Sequence, residues 1–226
     1  MIFRKLLITC LFLSAASAHA AVIEWTDWKS AVIGQMAIGA IGSTTVTYGG
    51  HLTFAQTGSG TNYWTENGSP APYTGNTVVD NVPTPAEMLA ISGTGYHQIV
   101  FSEAILNPVM AIVSMGQPSI GVSYDFDTDF DVLGGGVGYW SGANGGLPGA
   151  YFENDATDTL TGYEFHGVIQ FNGLIEQINW TSSPNENWHG FTFGKVIDST
   201  SVPEPTSLAL LAVGLAGFGF SRYRNK

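Results

Sequence analysis

Four aspartates alternate along Asp125-Phe126-Asp127-Thr128-Asp129-Phe130-Asp131, and carboxylates at a spacing of two are the raw material of a cation site. Drawn as one extended strand, the run puts Asp125, Asp127, Asp129 and Asp131 on one side and Phe126 and Phe130 on the other. Like charges crowded on a face repel unless a cation or water separates them. Calcium, which takes about six to eight oxygens from flexible carboxylates and carbonyls, is the cofactor such a face would hold. The run is not a helix-loop-helix calcium loop, because its sixth residue is Phe130 instead of glycine and its twelfth is Gly136 instead of glutamate. The competing reading is a solvated acidic strand face with no cofactor at all.

Two further constellations could do chemistry. Glu164-Phe165-His166 and Glu186-Asn187-Trp188-His189 offer two carboxylates and two imidazoles. Together these could ligate zinc, or the glutamates could serve as the carboxylate pair of a glycosidase, although sequence spacing says nothing about their separation in space. The bland alternative is a pair of hydrogen-bonded turn histidines beside Gly167 and Gly190. Of the six tryptophans, Trp64 and Trp140 lie in glycine-rich segments and are the candidate glycan-binding residues, since a flat aromatic ring suits the apolar C–H face of a sugar. Trp25, Trp28, Trp180 and Trp188 read as core.

What is missing narrows the chemistry. There is no G-x-S-x-G elbow, no phosphate loop, no H-E-x-x-H and no dinucleotide fingerprint, so the domain reads as non-catalytic. Cys10 is the single cysteine and falls in the N-terminal segment, which excludes disulfides and thiolate chemistry beyond it. Five of the seven basic residues sit at the two ends, and between Ala21 and Ser201 only Lys29 and Lys195 face seventeen acids, a net charge of −15. Such a surface repels phosphate backbones and excludes nucleic acid as a partner.

The elements that must position these residues are strands. Short β-branched and aromatic runs separated by Gly, Pro, Asn and Ser predict strands at 22–28, 44–48, 51–56, 97–102, 109–115, 120–126, 163–171, 174–181 and 190–196. Val109-Met110-Ala111-Ile112-Val113 is continuously apolar and predicts a strand buried on both faces, whereas Thr44 to Tyr48 alternates as a half-exposed strand does. Segments 57–85 and 134–154 read as loops. Thr84-Pro85-Ala86-Glu87 carries the capping residues of a short helix over 84–91. The expected fold is all-β, a single β-sandwich of jelly-roll type, over residues 21–200.

Both ends of the chain read as addresses. Arg4-Lys5, the apolar stretch Leu6 to Leu13 and Ala18-His19-Ala20 form a signal peptide over residues 1–20, with cleavage between Ala20 and Ala21. At the other end Val202-Pro203-Glu204-Pro205 precedes an apolar segment containing Gly214, Gly217 and Gly219, then Arg222-Tyr223-Arg224-Asn225-Lys226. A transmembrane helix over 206–221 would be about 24 Å long at about 1.5 Å per residue, short of the roughly 30 Å hydrocarbon core, with its basic end cytoplasmic. Residues 201–226 resemble the PEP-CTERM sorting tail of Gram-negative bacteria. That resemblance implies an exported protein held in the inner membrane, cut near Val202, Pro203, Glu204 and Pro205 by an exosortase, and passed to the cell surface or extracellular matrix in association with exopolysaccharide. A non-catalytic surface or matrix protein is the resulting expectation, with a carbohydrate-binding module as the alternative and a polysaccharide-acting enzyme third.

Overall fold

The computed structural model describes residues 21–140 and 150–197, and these form strands without any helix among them. In chain order they are β1 (Ile23–Trp25), β2 (Asp27–Val32), β3 (Met36–Ile41), β4 (Thr44–Gly49), β5 (Phe54–Gln56), β6 (Met88–Ile91), β7 (Gly95–Leu106) and β8 (Val109–Met115). There follow β9 (Val122–Phe126), β10 (Phe130–Gly135), β11 (Ala150–Asn154), β12 (Thr159–Tyr163), β13 (Phe165–Phe171), β14 (Leu174–Ser183) and β15 (His189–Val196). One sheet runs β10-β13-β8-β15-β6-β5 with β1 also paired to β15, and the other runs β11-β12-β9-β14-β7-β4-β3-β2. Trp28, Tyr48, Ile99, Phe101, Ile178 and Trp180 from the second sheet share one apolar cluster with Met110, Ile112, Ile169, Phe171, Phe191 and Phe193 from the first.

The first sheet is covered on its outer face as well. Trp64, Tyr73 and Val79, from the long connection between β5 and β6, pack with Met88 of β6 over Val109, Ala111, Val113 and Val168. This accounts for the unbroken apolar run of β8: Met110 and Ile112 enter the core between the sheets, while Val109, Ala111 and Val113 meet the covering connection. Thr44, Val46 and Tyr48 of β4 are buried while Thr45 is exposed, the expected alternation.

A connection of this length without repeating structure must satisfy its backbone through side chains. Asn81 clamps β1, accepting from Ile23 N at 2.6 Å and donating to Ile23 O at 3.0 Å. Glu66 Oε1 accepts from Tyr73 N at 3.0 Å and Thr74 N at 2.8 Å, and Asn76 Oδ1 accepts from Val78 N and Val79 N, both at 2.8 Å.

Several sequence expectations are corrected. The helix over 84–91 is absent: Thr84 N donates to Glu87 Oε2 at 2.5 Å as a capping pair would, but the turn stops there. Met88–Ile91 is buried at all four positions and pairs with β5 and β15, so burial on both faces overrides a single turn of capping signal. The expected strand at 22–28 divides at Thr26, whose N and Oγ1 both donate to Phe193 O at 2.8 Å, leaving β1 in one sheet and β2 in the other. The strand expected from His51 begins only at Phe54, and β3, β10, β11 and β12 were not anticipated, so the 134–154 segment has strands at both its ends. The signal segment 1–20, Val202 to Pro205 and the helix over 206–221 lie outside the described residues, while Ala21 bonds Val78 O through its N–H at 2.9 Å.

Candidate functional site

The site is built on a fault in a strand pair. From Phe165↔Met115 to Gly167↔Ile112, β13 advances two residues while β8 advances three, so Val113 and Ser114 together stand against His166. Such a bulge bends the strand and re-aims its side chains. Ser114 takes φ 58° and Glu164, at the start of the facing segment, φ 60°, a left-handed backbone that costs a residue with a side chain of order 1 kcal/mol or more. The two side chains meet, Ser114 Oγ donating to Glu164 Oε1. Gly116 follows at φ 79°, where a Cβ would lie 2.1 Å from Gly162 O, so only glycine fits.

Gly116 N donates to Glu186 Oε1 at 2.9 Å, so that residues two apart in the chain hold the two glutamates. The cleft between them has a volume of about 310 Å³ and includes Trp140, Trp188, Gln117 and Asn187 in its lining. Glu186 also accepts from His189 Nδ1, and its side chain is 2% exposed. His166 Nε2 lies 3.6 Å from Glu164 Oε1, and its Nδ1 is 3.3 Å from Tyr73 Oη. Both imidazoles are fully buried, and the Nε2 atoms of both lack a hydrogen-bond partner.

Aromatic rings form one wall. Trp140 stacks on Tyr63 at 5.2 Å and 19°, and Trp188 meets Trp140 edge-on at 5.1 Å. Phe54 and Tyr63 brace Trp188 from behind at 4.8 and 5.0 Å, and Tyr139, 41% exposed, abuts Trp140 at 4.6 Å. Rings locked against one another in this way present a rigid face at little entropic cost.

A polar seam leads from the cleft into the core. The Tyr124 ring lies 5.2 Å from His189, and its hydroxyl is held well above the usual phenol range, first by burial and then by the Glu186 and Tyr48 charges. His97 is lowered to about 4, by burial first and then by His189 and His51. Ser182 Oγ donates to Gly93 O at 2.7 Å and so accepts from His97 Nε2 at 2.9 Å, which leaves Nδ1 to accept from Tyr48 Oη at 2.7 Å. The neutral ring is thereby fully satisfied.

The residues singled out from sequence divide accordingly. Glu164 and Glu186 do share a cleft, and Trp140 lines it. Trp64 does not: it is 1% exposed, packed edge-on against Tyr73 at 5.5 Å in the covering layer, because glycine-rich surroundings marked a connection that folds back over the sheet. Trp188, read as core, is half-buried and takes its place. The aspartate run is not one strand, since β9 ends at Phe126 in one sheet and β10 begins at Phe130 in the other. Its four carboxylates stay exposed and three of them turn to separate partners: Asp127 to Asn179 N at 2.8 Å and Nδ2 at 2.5 Å, Asp129 to Asn172 Nδ2 at 2.9 Å, Asp125 toward Thr159 Oγ1 at 3.4 Å. No group of three or more His, Cys, Asp or Glu side chains that could hold a metal occurs among the described residues, so the Glu/His quartet does not converge as a zinc centre would require. Ser114 and Gly116 were missed, although a serine ending a buried apolar run just before Met115-Gly116 is the signal a bulge leaves.

No curated protein and no solved structure matches the chain. Residues 201–224 match the model of the PEP-CTERM protein-sorting motif. The quartet Val202 to Pro205, the apolar segment and the basic end all fall within or abut that match, and the chain therefore carries the sorting signal of an exosortase substrate.

Proposed function

We propose that this exported, exosortase-processed and membrane-anchored protein is a non-catalytic surface or matrix component that holds exopolysaccharide in the cleft between Glu164 and Glu186. The sorting motif supports export, processing and anchoring. The observation that carries the rest is the braced Trp140–Trp188 wall beside hydrogen-bonding Asn187, Gln117 and the two carboxylates, an apolar face with a polar rim such as a sugar ring has. The two-sheet architecture, read as a β-sandwich, supplies the rigid support. The Oε1 atoms of both glutamates are engaged by the protein's own donors, which suits fixed acceptors for a ligand.

Retention on polysaccharide from the host's own matrix is the test. Wild type is expected to be retained, Trp140→Ala with Trp188→Ala to lose retention by about tenfold or more, and reducing ends not to accumulate. A second reading, glycoside hydrolysis, draws on the two carboxylates sharing one cleft. Reducing ends formed by wild type and lost in Glu164→Gln or Glu186→Gln would replace the binding reading with that one.

A further inference from the structure

We infer that the cleft selects an amino sugar carrying a free ammonium group, the unit of a de-N-acetylated polysaccharide; the inference rests on the reading above that the cleft holds a glycan. A pair of carboxylates in a cleft calls for positive charge, and the protein has almost none to give. Between residues 21 and 201 the only lysine or arginine side chains are Lys29 and Lys195. Lys29 pairs with Asp27, and Lys195 lies 3.2 Å from Glu24, so both lysines are engaged by other carboxylates. Ser114 Oγ and Gly116 N donate to Glu164 and Glu186, His189 Nδ1 donates to Glu186, and His166 Nε2 lies 3.6 Å from Glu164, so that neutral donors and imidazoles, with no lysine or arginine, attend the two carboxylates.

A second observation points at the same place. The His166 ring is fully buried, its Nε2 has no hydrogen-bond partner, and that atom lies 3.6 Å from Glu164 Oε1. His166 thus stands behind Glu164, which itself lines the cleft, and leaves that carboxylate without a close hydrogen bond from the ring. The neighbouring tryptophans favour a cation over a neutral guest, because their faces attract positive charge while also stacking on the apolar face of a pyranose. Asn187 and Gln117 supply amide groups for hydroxyls. A ring with an apolar face, a hydroxyl rim and one positive charge meets all of these features; an N-acetylated ring loses the charge and a simple ammonium ion lacks the ring.

The experiment is a titration of the full-length chain, solubilised in a polyoxyethylene detergent that carries neither sugar nor cation, following tryptophan fluorescence at 0.15 M salt and at a pH where the amine is protonated. The probes are a glucosamine oligomer, the same oligomer N-acetylated, trilysine and tetramethylammonium. The glucosamine oligomer is expected to bind about tenfold or more tighter than its acetylated form, the size of one charge-assisted hydrogen bond. Glu164→Gln with Glu186→Gln should abolish that preference, Trp140→Ala should weaken both oligomers alike, and Asp125→Asn with Asp131→Asn, which removes charge elsewhere, should change neither. Equal or tighter binding of the acetylated oligomer overturns the charge selection while leaving the glycan reading intact. Binding of neither oligomer overturns both. Trilysine or tetramethylammonium binding as tightly as the amine oligomer shows recognition of charge without the sugar and overturns the inference. Should the double glutamine variant not fold, the comparison of the two oligomers on wild type still decides.

Discussion

Ser114 and Glu164 hold an uncommon backbone so that their side chains can meet, and this is where strain is concentrated among residues with a polar role in the cleft. Two tryptophans separate packing from the proposed binding. Trp64 lies in the covering layer at 1% exposure, so Trp64→Ala removes a large buried ring; a loss of about 3–5 kcal/mol is expected, read as a lowered midpoint in urea. Trp188 is half-buried on the wall, and Trp188→Ala should cost less stability while weakening retention on polysaccharide. If the two substitutions moved stability and retention in the reverse order, the assignment of the wall would fail.

At the scale of elements, the seam formed by β4, β7 and β14 carries a pH dependence. His97 is neutral in the fold with its pKa lowered to about 4, against an ordinary value of 6.5. Between those values the unfolded chain binds a proton that the folded chain does not, so this residue's contribution is fully present above about pH 6.5 and is lost as pH falls toward 4. At about 1.4 kcal/mol per pH unit the loss is of order 3 kcal/mol. Urea unfolding at pH 7 and pH 4.5 should show wild type losing more stability than His97→Gln; equal losses would contradict it. This seam was invisible in the sequence, where His97 stands beside Gln98 at the head of an apolar run, because Tyr48 and Ser182 reach it from distant strands. Other elements were legible for physical reasons. The β8 run of five apolar residues announces burial on both faces, and the alternation of β4 announces a half-exposed strand. The aspartate run misled because β9 and β10 meet without glycine or proline between Phe126 and Phe130, so nothing local marks the change of sheet. Of the cleft, the glutamates were legible as residues and not as neighbours, since their meeting depends on a bulge in a third segment.

For the whole molecule the sorting motif sets what happens to the C-terminal segment. Glu204→Ala should block exosortase processing, read by mass analysis as retention of Arg222–Lys226 on the mature protein, while unfolding of the domain stays unchanged because Glu204 lies beyond the last strand. Normal processing of the variant would remove Glu204 from the motif's working part.

The last described strand before that motif is paired along both edges. Along one edge β15 pairs with β8 from Gly190 to Gly194, and along the other with β6 and then β1, where Ile23 stands against Val196. In the proposed anchored role, a pull directed along the axis of this strand would enter the fold here. The hydrogen bonds on both edges would then bear the load together in shear instead of peeling apart one at a time. In the proposed role, the described end of the fold nearest the sorting motif is thereby the part suited to resist tension.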